Sequence, residues 1–156
     1  MSGPVALVPG VPALLPSYAS LEDPVADLRA ACLDAVGRLG ARVRVRASGP
    51  SGLRVAAALV AASGGAVVDD DETGVLVVGN GSATRTEKAP GHLDERAAGF
   101  DAALRRTFTG IDTALAAELW ADTACLGELP PLGEAEVLYD DAPFGVQYWV
   151  AVWRTA

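Results

Sequence analysis

The stretch that decides the fold is the apolar run Gly74–Val78 (GVLVV), which is followed by the polar segment Gly79–Arg96 (GNGSATRTEKAPGHLDER). The run predicts a buried strand, because parallel strands covered on both faces are usually apolar throughout. Open α/β sheets place their binding sites at the carboxyl ends of such strands. The polar segment is therefore either a binding loop or an ordinary solvated loop. Its candidate side chains are Asn80, Ser82, Thr84, Arg85, Thr86, Glu87, Lys88 and His92.

Apolar runs and helix-like segments alternate along the rest of the chain. The predicted strands are 4–8, Arg42–Ala47, Gly74–Val78, Val137–Tyr139 and Gly145–Trp153. The predicted helices are Leu21–Leu39, Ser51–Ala62, Asp94–Phe108 (with Leu93, Ala97, Phe100 and Leu104 on one stripe) and Ile111–Ala121; a Pro-rich loop is predicted at Gly127–Gly133. This order predicts an α/β fold with a central, largely parallel but mixed sheet flanked by helices. A chain of 156 residues is long enough for a single layered domain, residues 1–156, that buries about two-thirds of its unfolded surface.

The second predicted strand alternates strictly, with Arg42, Arg44 and Arg46 on one face and two valines on the other. One face of this strand should therefore be uncovered. Two interpretations stay open: helical material that would cover the arginines is missing, or the strand is an edge strand protected from aggregation by its charges.

The last predicted strand is apolar on both faces and carries Trp149 and Trp153 on one of them, which is typical of an interior strand or a subunit interface. We expect the monomer to expose either these tryptophans or the small-residue face of Ser51–Ala62, and therefore expect a homodimer. In the competing interpretation the chain is a monomer. The tryptophans would then be covered by Leu115, Leu119 and Trp120.

Composition excludes several classes of partner. The net charge is −8 and a single lysine stands among the twelve basic residues, so a nucleic-acid partner is not expected. No run approaches the roughly 18 apolar residues of a membrane span. The two cysteines, Cys32 and Cys125, lack metal-type spacing and are expected to be buried free thiols. We expect a cytoplasmic protein, since the first residues lack the basic region of a secretory signal.

Three segments, in the same order, resemble the class III extradiol dioxygenase superfamily, which includes the protocatechuate 4,5-dioxygenase β-subunit and the Memo-like proteins. The first is the opening strand and loop, Val5–Pro12 (VALVPGVP). The second is Gly79–Thr86 (GNGSATRT) with Ala89–His92 (APGH) and then Phe100–Asp101. The third is Leu138–Tyr148 (LYDDAPFGVQY). The resemblance implies a fold like that of the dioxygenase β-subunit.

The chain departs from this family at the positions that carry its chemistry. Family enzymes hold Fe(II) with two histidines and a glutamate, and use a further histidine for proton transfer. Gly10 stands at the first ligand position, Ala83 at the proton-transfer position, and no imidazole occurs in Ser48–Ser51, where the second ligand is expected. The single histidine, His92, aligns with a family tyrosine. We therefore expect neither a cofactor nor iron-dependent ring cleavage.

Two functions remain open. The first is a non-catalytic homologue, a pseudoenzyme, that keeps the cleft as a binding or assembly surface, with a small-molecule ligand as a possible partner. The predicted binding residues are Gly10, Asn80, Ser82, Arg85, Thr86 and Tyr139. The alternative is an enzyme of different chemistry, in which Asp140 or Asp141 acts as a base or as a ligand to a divalent metal and Arg85 clamps an anion.

The catalytic candidates for this alternative are Asp140, Asp141 and His92. Adjacent carboxylates facing Asn80 and Ser82 would raise the pKa of one of them, although an ion pair with Arg85 explains Asp140 and Asp141 equally well. Another acidic run, at 69–72 (DDDE), is expected to be a solvated turn and not a cation site.

Overall fold

A computed structural model describes residues 3–14, 25–130 and 132–154. The strands are β1 (Val5–Val8), β2 (Arg42–Arg46), β3 (Ala66–Val67), β4 (Gly74–Val78), β5 (Glu136–Asp141) and β6 (Tyr148–Trp153). The helices are α1 (Ala26–Gly37), α2 (Pro50–Ala62), α3 (Ala97–Thr107), α4 (Thr113–Glu118) and α5 (Ala124–Gly127), and a single 3₁₀ turn covers Pro12–Leu14.

The strands form one six-stranded sheet in the order β3-β2-β4-β1-β6-β5. Neighbours among the first four strands in this order are parallel, whereas β6 is antiparallel to β1 and to β5. The predicted α/β class with a mixed sheet is confirmed.

Helices cover both faces of this sheet. Residues of α1 and α2, such as Leu28 and Leu59, pack with Val8 and Val78 on one face. Residues of α3, α4 and α5 pack on the other face, where Trp149 and Trp153 are the largest buried side chains. Because β1 and β4 are covered on both sides, their apolar runs are fully buried, as the sequence pattern predicts.

The arginine face of β2 is covered by carboxylates. Arg42 pairs with Asp71 (3.8 Å between the charged atoms) and Arg44 with Glu72 (3.9 Å), both from the turn between β3 and β4. Arg46 pairs with Glu128 at the end of α5 (3.4 Å). The acidic run at 69–72 is therefore partly a source of ion-pair partners and not simply a solvated turn. β3 pairs with Arg42 and Val43, and among the described residues no strand pairs with β2 on this side from Arg44 onward. There β2 is the edge of the sheet within the described part of the chain.

The last strand is interior, as predicted, but its tryptophans are not available for an interface. Trp149 and Trp153 are both buried, and the ring of Phe108 packs edge-on against each, at 5.3 and 5.5 Å between ring centroids. Leu119 is buried in the same cluster. Of the two alternatives, exposure of these tryptophans is wrong, because the end of α3 and α4 cover them. Exposure along Ser51–Ala62 is confirmed, for example at Leu53 and Ala57. Trp120, which the monomer interpretation expected to cover the tryptophans together with Leu115 and Leu119, is 60% exposed.

Several predicted boundaries are wrong for local reasons. The third helix begins at Ala97 and not at Asp94, because the Asp94 side chain and carbonyl accept the amides of Arg96 and Ala97 in a preceding turn. Leu93 is exposed and does not belong to the buried stripe. The predicted start of the first helix, near 22–24, lies outside the described residues. The short elements β3 and α5 were not predicted.

Candidate functional site

The three segments that resemble the dioxygenase family meet at the end of the sheet where β1 and β4 finish. The amide of Gly10, just after β1, donates to Asn80 Oδ1 (3.1 Å), just after β4. Beyond Asn80, the chain runs beside the residues that precede β6. The Gly81 amide donates to the Gln147 carbonyl and the Gln147 amide to the Ser82 carbonyl, both at 2.8 Å. Asp140, near the end of β5, lies at this same end because it pairs with Trp149 at the start of β6.

A buried carboxylate fixes the loop after β4 onto α3. Asp101 Oδ1 accepts the Ser82 amide (2.8 Å) and Asp101 Oδ2 accepts the Ser82 hydroxyl (2.6 Å). Both residues are buried. Burial raises the pKa of the Asp101 carboxyl, and the hydrogen bonds from Ser82 and Arg85 oppose this shift. The polar loop is therefore held in one place by a contact inside the protein.

From Asp101 a chain of hydrogen bonds crosses to the last two strands. Arg85 Nη1 donates to Asp101 Oδ2 (3.3 Å) and to Gln147 Oε1 (2.7 Å). The Gln147 amide nitrogen donates to Asp140 Oδ1 (2.7 Å), and Arg105 Nε donates to Asp140 Oδ2 (2.9 Å). The side chains therefore alternate in charge, with Gln147 as the neutral link between Arg85 and Asp140.

The hydrogen-bonded side chains line an open cleft of about 250 Å³ between α3 and the ends of β5 and β6. The Trp149 side chain forms part of its wall. The polar side chains that line the cleft are Arg85, Asp101, Arg105, Asp140, Asp141 and Gln147.

Of the residues that the sequence singled out, this cleft unites Arg85, Asp140 and Asp141. Gly10 and Asn80 lie at the same end of the sheet but are not among its lining residues. Tyr139 packs against the opposite face of the sheet, with the core beneath α1 and α2, because adjacent strand residues point to opposite sides. The sequence did not distinguish the two faces of β5.

Three other predicted residues lie in the loop between β4 and α3. Ser82 is buried beneath the cleft and holds Asp101. Thr86 and His92 are exposed, and the His92 Nδ1 atom lies 3.4 Å from the Glu87 carbonyl oxygen, a neighbour in the same loop. His92 is thus not among the cleft-lining residues.

The resemblance placed a metal ligand at Gly10 and a proton-transfer residue at Ala83, and neither position has a side chain that could serve. A Cβ atom at Gly10 would lie 2.9 Å from Val78 Cγ1, so a larger side chain does not fit without movement. Ala83 is buried, and its amide donates to the Leu119 carbonyl (2.9 Å). With a single histidine in the chain, the side chains present do not fit a two-histidine iron site. In residues 3–14, 25–130 and 132–154, no three histidine, cysteine or carboxylate side chains are grouped to hold a metal ion.

Sequence reasoning missed three residues of the cleft as site residues: Asp101, Arg105 and Gln147. A signal for Asp101 was present, because this carboxylate lies on the apolar stripe of α3 beside Phe100 and Leu104. A charged residue on a buried face requires a partner. Gln147 carried a weaker signal, as a polar residue within the predicted apolar strand Gly145–Trp153.

Comparison of the chain with protein-family models, with curated proteins and with solved structures yields no match. In the described part of the chain, no helix combines the length and the apolar character needed to cross a membrane.

Proposed function

We propose that this chain is a non-catalytic relative of the class III extradiol dioxygenases and that it binds a small polar molecule in the cleft beside Arg85. The observation that carries the proposal is the hydrogen-bonded chain from Asp101 through Arg85, Gln147 and Asp140 to Arg105. These hydrogen bonds connect the second and third of the segments that resemble the family. The hydrogen bond from Gly10 to Asn80 connects the first segment to the second.

The partners of the carboxylates favour binding over catalysis. A general base has to turn an oxygen toward the proton that it removes, and a carboxylate held by protein donors is less free to do so. Both oxygens of Asp101 and both oxygens of Asp140 already accept hydrogen bonds from protein groups. Asp141 is exposed and accepts the Ala142 amide. An enzyme that used Asp140 as its base would have to bring the substrate proton to a carboxylate that Arg105 and Gln147 already hold.

The same partners make the cleft a prepared binding surface. Arg85 is anchored by two acceptors and Arg105 by one, so both guanidinium groups are oriented by protein partners before any ligand arrives. Side chains held by neighbouring hydrogen bonds lose little freedom on binding, which favours affinity.

A thermal-shift screen of small polar compounds tests this proposal. We expect at least one compound to raise the melting temperature of the wild-type protein and to lose most of this effect in Arg105→Gln. Arg106→Gln is the matched control, because Arg106 is the next residue of α3, is exposed, and borders a different cavity. The proposal fails if no compound stabilises the protein, or if every stabilising compound acts equally on Arg105→Gln.

The homodimer remains part of the proposal, with its interface moved away from the last strand. The outer face of α2 exposes Leu53, at 49%, together with Ala57 and Ala61. Light scattering distinguishes a single chain of 15.9 kDa from a doubled mass. A doubled mass that Leu53→Glu returns to a single chain supports this interface, and a single-chain mass for the wild type refutes the dimer.

A further inference from the structure

Most hydrogen-bond donors of the two cleft arginines are unused. A guanidinium group carries five N–H donors on three nitrogens. Arg85 binds its protein partners through Nη1 and Arg105 through Nε. Among the described residues, Arg85 Nε and Nη2 and both Nη atoms of Arg105 have no acceptor. These side chains are also partly exposed, at 31% and 46%. The cleft therefore offers two guanidinium groups that can each bind a carboxylate.

The charges of the cleft argue against a simple anion. Arg85 and Arg105 contribute two positive charges, whereas Asp101, Asp140 and Asp141 contribute three negative charges, which leaves one negative charge. Asp101 and Asp140 each contact an arginine. Asp141 contacts none within the described part of the chain, so it is the uncompensated group. An anion alone would increase this imbalance.

We infer that the cleft binds a small zwitterion, a molecule that carries both a carboxylate and an ammonium group. The carboxylate binds the free N–H groups of Arg85 and Arg105, and the ammonium group binds Asp141. Charge-assisted hydrogen bonds of this kind are roughly twice as strong as neutral ones. The cavity of about 250 Å³ lies below the roughly 300–1,000 Å³ of drug-sized sites, so the ligand has the size of an amino acid.

This inference rests on the proposed binding function and specifies its ligand class. Isothermal titration calorimetry at low ionic strength and neutral pH tests it, because salt screens exposed charges. The zwitterionic probes are glycine, L-alanine and 4-aminobutyrate, which differ in the distance between their charges. Acetate carries the carboxylate alone, and propylammonium carries the ammonium group alone. We expect at least one zwitterion to bind more tightly than either single ion by about tenfold or more.

Two variants assign the two ends of the ligand. Arg105→Gln and Asp141→Asn should each weaken binding of that zwitterion by about tenfold, since each removes one charge-assisted contact. Arg106→Gln and Glu134→Gln are the matched controls. Both residues are exposed, border a different cavity, and should leave binding unchanged. In Asp141→Asn, binding of acetate should not weaken.

The outcomes separate this inference from the function on which it rests. If acetate binds as tightly as every zwitterion, or if Asp141→Asn has no effect, the assignment of the ligand class is wrong while a binding function stands. If none of the zwitterions binds but the thermal-shift screen finds another compound that depends on Arg105, only the zwitterion is refuted. If no compound of either experiment binds, both fail.

Discussion

Replacement of Asp101 by alanine should destabilise the fold strongly, because this carboxylate serves two buried donors. In Asp101→Ala, the Ser82 amide and hydroxyl lose their acceptors. Ser82 is completely buried in the wild type, and a buried donor left unsatisfied costs about 1–3 kcal/mol. Loss of the partly exposed ion pair between Asp101 and Arg85 adds at most about 1 kcal/mol to this cost.

Two effects reduce this cost. The raised pKa of Asp101 shows that burial of its charge is itself unfavourable, and alanine is the better helix former by about 0.5 kcal/mol. We therefore expect Asp101→Ala to lower the free energy of unfolding by about 2–4 kcal/mol. Ser82→Ala, which leaves the backbone contact in place, should cost about 1 kcal/mol.

Urea unfolding followed by tryptophan fluorescence measures these values, since Trp149 and Trp153 are buried. The double variant Ser82→Ala/Asp101→Ala should lose less free energy of unfolding than the two single variants together, by about 1 kcal/mol. This difference exceeds the deviation from additivity of roughly 0.3–0.5 kcal/mol that is found for independent sites. Asp112→Ala is the control: this exposed carboxylate caps α4 by accepting the Leu115 amide, and its loss should cost about 1 kcal/mol. A loss for Asp101→Ala no larger than that for Asp112→Ala, or strict additivity with Ser82→Ala, would refute the reasoning.

Three further predictions concern packing, thiol reactivity and pH. Gly81→Ala should cost about 1–3 kcal/mol in urea unfolding, since its Cβ would lie 2.7 Å from three side-chain atoms; Gly99→Ala on α3, with open space around it, should be neutral or stabilising. In native protein, Cys32 and Cys125 should react slowly with a thiol reagent and both should react in denaturant; rapid native labelling of Cys32 would contradict its complete burial and the rise of its pKa to about 12. Because the folded-state pKa of Asp101 is raised above 3.8, its contribution is greatest below that pH and declines as pH rises. Wild-type stability, measured by urea unfolding, should therefore fall relative to Asp101→Asn as pH increases from 3.8; parallel pH profiles would contradict this.

The long elements of the fold could be predicted because their patterns reflect burial. The apolar run of β4 and the two apolar faces of β6 each indicate a strand covered on both sides, and both strands are interior. The short elements carry too few residues to form a pattern. β3 consists of two exposed residues, and the four residues of α5 follow a loop.

The candidate site was predictable only in part, because the pattern shows which residues are polar but not which face they occupy. Asp140 and Tyr139 are neighbours in sequence and point to opposite sides of the sheet. The register also shifts between Val137 and Tyr139, and this irregularity has no clear sequence signal. Arg105 was one polar residue among several on α3, and nothing in the sequence distinguished it from the others. The contact between Arg85 and Asp140 through Gln147 joins segments far apart in the chain, so local sequence patterns do not predict it.

The most direct test of the central claim is the iron content of the protein, measured together with its oxygen consumption. The protein is purified without chelator, incubated with Fe(II) in the absence of oxygen, desalted, and mixed with protocatechuate in an oxygen electrode. With Gly10, Ala83 and a single histidine, we expect substoichiometric iron and no oxygen uptake above the protein-free control. Stoichiometric Fe(II) bound by the isolated chain, with oxygen uptake on addition of the catechol, would contradict a non-catalytic binding function.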